Sequence, residues 1–219
     1  MLRGFILIIA GMCCGLSGNC QLKKFYTVKN ESNYDTIDFS LKATSGKCYI
    51  KPSYHTDPVT IYGNPDFKDV NPTFYATTRD NINFIKLNLE DYKKGGLSQS
   101  IQYSVFGKDE DADKNYWKVY LTEEKVYKLN LNYGLGDATV NLSGIPVSKL
   151  KIESGSASLD VFYDEDKPNK CVMDTFFLKV DLGSIIARNI NRSRAQNIIA
   201  DVGFGSAILS AKVRLRNAM

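Results

Sequence analysis

Few side chains in this sequence could do chemistry, and their spacing limits what that chemistry could be. His55 is the only histidine. It lies in a loop between Pro52 and Pro58 with no second metal ligand or nucleophile at a recognisable spacing, so it reads as an exposed loop residue. Asp109, Glu110, Asp111 and Asp113 alternate as the acids of a calcium loop do. Such a loop needs glycine at position six and a bidentate glutamate at position twelve. Here those positions hold Lys114 and Tyr120, and a solvated hairpin tip fits better. Asp164, Glu165 and Asp166, just before Pro168, read the same way. Beyond the first twenty residues only Cys48 and Cys171 remain. They could form one disulfide in an exported chain, or Cys48 could be a small buried apolar side chain. Without a Cys-x-x-Cys spacing in this part, zinc and thioredoxin-like chemistry have no support, and no cofactor is expected.

A polar strip is the remaining candidate. Asn132, Glu153, Asp181 and Asp201 each stand two residues before a glycine, and Asn130, Lys151 and Lys179 stand two residues further back. Carboxylates stacked one above another would repel, and the lysines could neutralise them. Lys151, Glu153, Lys179, Asp181 and Asp201 thus form either a solvated face that discourages edge pairing or a contact strip for an envelope polymer, a cation or a partner protein.

The elements that would position this strip are written as a repeat. Between Leu129 and Leu209 the phrase Leu-x-apolar-x-x-Gly-x-small-x-apolar occurs four times, at Gly134, Gly155, Gly183 and Gly203, in steps of 21, 28 and 20 residues. Alternation of apolar and polar residues indicates strands, and a repeat near 20 residues indicates a solenoid. The apolar positions lie five and three residues before each glycine and two and four after it, so the inward parity changes at the bend. Each unit is therefore two short strands meeting at a corner, where glycine supplies the unusual backbone angles. Leu41, Ala43, Gly46, Cys48 and Ile50 fit the same positions as an earlier copy. The fold expected is all-β: a β-solenoid-like stack of two-strand coils bent at Gly46, Gly134, Gly155, Gly183 and Gly203, preceded by an antiparallel meander.

The chain has 219 residues, 24% charged, with a formal net charge of +4. Acids and bases are interspersed, which argues against a nucleic-acid binder. Residues 1–20 read as a secretory signal peptide: Arg3, an apolar run from Gly4 to Leu16, and a small-residue exit at Gly18 and Cys20. The run is too short to span a bilayer, and residues 21–219 contain no transmembrane segment. Cys20 as a lipid-anchored residue is the rival reading, which Asn19 before it disfavours. Residues 21–128 form a strand-rich region and 129–219 the glycine-repeat region, together expected as one continuous domain.

From Trp117 to Leu209 the text resembles the toast-rack, or LiaF-like, family of bacterial cell-envelope proteins. The resemblance rests on WKVYLTEE, on LNLNYGLGDATVNLSGIPVSKLKIESGSASLDV with its Leu142–Gly144 segment, and on the later glycine coils. It implies a β-solenoid-like fold, a link to cell-wall antibiotic responses or adhesion, and no known catalytic centre. The expected function is that of a non-catalytic exported module, adhesin-like, scaffolding or stress-responsive, in the periplasm or outer envelope. Its partner would be an unidentified envelope protein or polysaccharide. The alternative is a β-helix lyase or hydrolase acting on glycans. That needs two positioned carboxylates, and the acids on the coils lack the aromatic sugar platforms expected beside such a site. A purely structural outer-envelope lipoprotein is the third reading.

Overall fold

The structure, a computed structural model, describes residues 23–64, 70–91 and 116–212. Among the described residues fifteen strands form two facing sheets. In chain order they are β1 Lys23–Val28, β2 Thr36–Ala43, β3 Lys47–Pro52, β4 Val59–Asn64, β5 Val70–Arg79, β6 Ile82–Asp91, β7 Tyr116–Leu121, β8 Val126–Tyr133, β9 Asp137–Asn141, β10 Val147–Ser154, β11 Ser158–Phe162, β12 Met173–Val180, β13 Ser184–Arg188, β14 Ala195–Val202 and β15 Ser206–Leu209. A 3₁₀ turn, Ile190–Ser193, precedes β14. One sheet runs β1-β4-β7-β3-β9-β11-β13-β15 and the other β14-β12-β10-β8-β2-β6-β5.

Each coil gives one strand to each sheet, and successive coils pair in parallel and in register. The copy around Gly46 belongs to this array: β2 pairs with β8 and β3 with β9. β6 and β7 form a further coil on its other side, because β2 also pairs with β6 and β3 with β7. Among the described residues antiparallel pairing is confined to β1–β4–β7 and β5–β6. The expected meander is thus partly there, while four of the strands ahead of Leu129 are coil strands. Residues 92–115 of the expected strand-rich region lie outside the described residues.

Matching side chains stack along the array. On one sheet the inward ladder is Ile85, Phe39, Leu129, Leu150 and Phe176, all at 2% exposure or less. Facing it, Trp117, Cys48, Ala138, Leu159 and Ile185 stack in the other sheet. Full burial of one such large apolar side chain is worth roughly 1.5–3 kcal/mol, and only stacking can supply it. Trp117 fits because Gly63 is its antiparallel neighbour: a Cβ there would lie 2.7 Å from the indole ring.

Inward parity switches at each corner, as the sequence requires. Leu129, Leu131 and Tyr133 are buried before the first clear bend, and Ala138 and Val140 after it. Five corners have three residues each: Thr44–Gly46, Gly134–Gly136, Gly155–Ala157, Asp181–Gly183 and Gly203–Gly205; the β6–β7 connection, 92–115, lies outside the described residues. The strand registers put Gly134, Gly155 and Gly203 in its first column, with Thr44 and Asp181. Gly46, Gly183, Gly136 and Gly205 stand two residues later. The sequence phrase therefore merges two columns, and Gly46 and Gly183 were aligned two residues out of phase. In the later column a Cβ on Gly183 would lie 2.1 Å from the Ala157 carbonyl oxygen. Gly136, at φ +96°, would meet the Gly46 carbonyl at 2.2 Å.

The two ends of the stack differ. At the N-terminal end the β5–β6 hairpin turns at Asp80 and Asn81, both at positive φ, as a two-residue turn of mirror type demands. Its edge strand β5 carries Pro72, and Tyr26 stacks on Phe74 at 4.5 Å, tying β1 to β5. Lys125 is buried there, donating to the carbonyls of Glu31 (2.9 Å) and Tyr34 (2.6 Å). At the other end β14 and β15 are edge strands. Their stacking positions Ile198, Val202 and Leu209 are exposed, as are Ile199 and Ile208.

Candidate functional site

The residues that first suggested chemistry are dispersed. His55 is exposed, and its backbone N–H donates to Ser53 Oγ at 3.2 Å. The acid run 109–113 lies outside the described residues, as do residues 1–20. Asp164, Glu165 and Asp166 line a cavity of about 480 Å³ with Arg188 and Asn189. Glu165 is paired with Lys212, and Asp160 takes Arg188 through two bonds of 3.0 and 2.5 Å. Among the described residues no cluster of three His, Cys, Asp or Glu side chains could hold a metal. No helix of those residues is long and apolar enough to cross a membrane.

Both thiols are free, so the Cys48–Cys171 bridge is not formed. Cys48 sits on β3, two strand spacings from β11, while Cys171 lies between β11 and β12. Two spacings of about 4.8 Å exceed the Cα separation a disulfide tolerates. Burial pushes the Cys48 thiol up to about 12, which leaves it unreactive.

The charged strip of the β8–β14 sheet differs from its sequence reading. In register, Lys42, Asn132, Glu153, Lys179 and Asp201 form one outward column. Lys179 therefore stands between Glu153 and Asp201, and the repulsion expected between neighbouring carboxylates is absent. Asp181 leaves the column and sits in the corner beside Gly155. The misplacement follows from aligning Gly183 with the wrong glycine column. Lys151 lies 3.0 Å from Glu153, and its hydrogen bond holds that carboxyl below its usual range. Lys179 reaches Asp181 at 3.7 Å, and Lys42 reaches Glu90 at 2.7 Å. Each lysine of this group has its own acid.

The opposite sheet carries a surface that sequence reasoning missed. Outward from β3 stand Lys47, Tyr49 and Lys51, and outward from β7 stand Tyr116, Lys118 and Tyr120. Parallel pairing sets Lys47 against Tyr116, Tyr49 against Lys118 and Lys51 against Tyr120. The result is a checkerboard of lysine and tyrosine. β4 extends it, with Tyr62 opposite Lys118 and Thr60 opposite Tyr120. Tyr62 meets Tyr120 edge to face at 5.7 Å. Lys51 lies 5.3 Å from the Tyr49 ring centre, and Lys118 the same distance from Tyr116. Thr60 is buried and the lysines and tyrosines are half-buried, and no outward residue of the three strands is acidic. An aromatic platform thus exists, but away from the acids of the charged strip. The signal was present in KCYIK and YWKVYL, but their adjacency depends on a pairing across more than sixty residues.

Comparison with known proteins agrees with this architecture. Residues 88–175 match the family described as the N-terminal domain of toast_rack, DUF2154. A crystal structure from Clostridium sporogenes ATCC 15579, described as that of a "putative cell adhesion protein", superimposes with a TM-score of 0.62 at 14% identity. The match covers 88% of this chain and 100% of that one. At that identity the likeness is one of fold. No curated protein matches the chain. The sequence phrase, the stacked coils and the family match converge on one statement: over residues 88–175 this chain is similar to the toast-rack N-terminal domain.

Proposed function

We propose that the protein is an exported, non-catalytic component of the bacterial cell envelope that works by presenting its broad sheet faces as contact surfaces. Adhesion or scaffolding, including a part in the response to cell-wall stress, is the role that fits. The observation supporting it is the distribution of polar chemistry. The space between the sheets is filled by stacked apolar side chains, while lysines, tyrosines and acids are spread over flat outer faces. A filled two-sheet stack is a rigid display, and it works by what it touches. The toast-rack match and the name given to the Clostridium structure point the same way. Export rests on the leader-like residues 1–20, with Cys20 as the position a lipid anchor would use.

Fractionation of cells expressing the chain with a C-terminal tag, followed by cross-linking in the intact envelope, tests this reading. The expected result is a chain beginning at Gln21, recovered in the envelope and cross-linked to a wall polymer or another envelope protein. A chain that keeps residues 1–20 and stays in the cytoplasm would sink it. Release of new reducing ends from an envelope glycan by the purified chain would replace it with the enzyme reading.

A further inference from the structure

We propose that the outer face of β3, β4 and β7 binds an anionic sugar polymer. Its rings would lie on Tyr49, Tyr62 and Tyr120, and its carboxylates or phosphates would meet Lys47, Lys51 and Lys118. The proposal deepens the envelope reading by naming the class of partner, and it rests on that reading.

Charge complementarity sets the sign of the ligand. On the β8–β14 sheet Lys42, Lys151 and Lys179 each lie within 4 Å of a carboxylate. The three lysines of the checkerboard have tyrosines as cross-strand and same-strand neighbours, apart from Asp137 across from Lys47. Among the described residues none of the three is in an ion pair, and their charge attracts an anion.

The tyrosines set the type of anion. A ligand of charge alone would need only the lysines. Flat aromatic rings alternating with cations suit a chain that alternates apolar ring faces with acidic groups. Neighbouring strands are about 4.8 Å apart and outward residues along a strand about 6.6 Å apart. Three strands with up to three outward positions each therefore span roughly 10 by 13 Å, room for a few sugar units. The rings are held before any ligand arrives, Tyr62 edge-on to Tyr120 and Tyr49 beneath Lys51. That lowers the entropy cost of binding. The flatness of the sheet suits a polymer lying along it better than a small molecule needing enclosure.

Titration calorimetry with the purified chain tests the proposal with five probes, a single-stranded oligonucleotide among them. Oligogalacturonate carries rings and carboxylates, and a polymer of glucosyl phosphate carries rings and phosphates. Dextran has rings without charge, and inorganic polyphosphate has charge without rings. One or both charged sugar polymers should bind, the stronger identifying the acidic group, with affinity falling as salt is raised. Tyr49→Ser with Tyr120→Ser, and separately Lys51→Gln with Lys118→Gln, should each weaken binding about tenfold. Circular dichroism confirms that these surface variants are folded, and Lys151→Gln on the other sheet should bind as the parent does. Four results would overturn the assignment: neither charged sugar polymer binds, patch variants bind as the parent does, dextran matches the sugar acids, or polyphosphate or a single-stranded oligonucleotide matches them. Because purified protein is used, failure here leaves the cell-fractionation result standing, and the reverse also holds.

Discussion

At the scale of single residues the corner glycines differ by column. Gly183 and Gly136 approach a neighbouring carbonyl so closely that a Cβ would lie 2.1 and 2.2 Å from it, whereas at Gly155 the same distance is 3.1 Å. A carbonyl in a paired backbone cannot swing aside as a flexible side chain can. Gly183→Val should therefore cost at least about 2 kcal/mol, seen as a fall of roughly 5 °C or more in thermal unfolding. Gly155→Val should cost less, and His55→Ala close to nothing. Equal losses at the two glycines would refute the column assignment. The presence of glycine at the bends was legible in the sequence; its split into two columns was not, because only the strand registers separate them. Glu153 offers a second test at this scale. Its carboxyl is held low by Lys151, so the unfolded chain binds its proton more readily than the folded one. The stabilisation is then present above the unfolded value and lost as pH falls through the folded one. Lys151→Gln should move the acid-unfolding midpoint of the chain to higher pH, as measured by circular dichroism.

At the scale of elements the sequence was most informative where the chain repeats locally. The coils from β8 to β15 follow from alternation and a parity switch, because each strand pairs with the one a single repeat away. The earlier strands alternate just as clearly. Their partners are set by parallel pairing over long separations, which alternation does not encode, and so β6 and β7 were read as part of a meander. The tyrosine–lysine checkerboard was hidden for the same reason. The final coil leads to a prediction that belongs to the element. β14 and β15 carry Asp201 as their only charge and expose Ile198, Ile199 and Ile208, without the lysine or proline that natural edges use against pairing. Ile199 points outward, so Ile199→Lys should lower aggregation in light scattering while leaving the unfolding temperature nearly unchanged. A large drop in that temperature would show instead that Ile199 is packed.

Across the whole molecule the two flanks of the stack obey different rules. On the corner flank the connections from β2 to β3 and, from β8 onward, within each coil have three residues each, whereas 92–115, outside the described residues, separate β6 from β7. On the far flank from β9 onward the connections are 142–146, 163–172 and 189–194, and their unequal lengths, together with the two-residue offset of Gly183, produce the uneven steps seen in the sequence. Asn169 fastens the longest of them, accepting from Val147 N at 2.9 Å and donating to the carbonyls of Val147 at 2.7 Å and Ser193 at 2.8 Å. A short glycine–serine insertion between Asp166 and Lys167, beyond that anchor's reach, should leave thermal unfolding nearly unchanged. The same insertion at Ser156 should abolish the cooperative transition. Similar losses at both places would show the flanks to be equivalent. If they are not, divergence over the coils from β8 onward has a preferred direction: one margin stays a ruled spine while the other can accumulate new loops, and a graft meant to add a function without disturbing the tyrosine face has its place there.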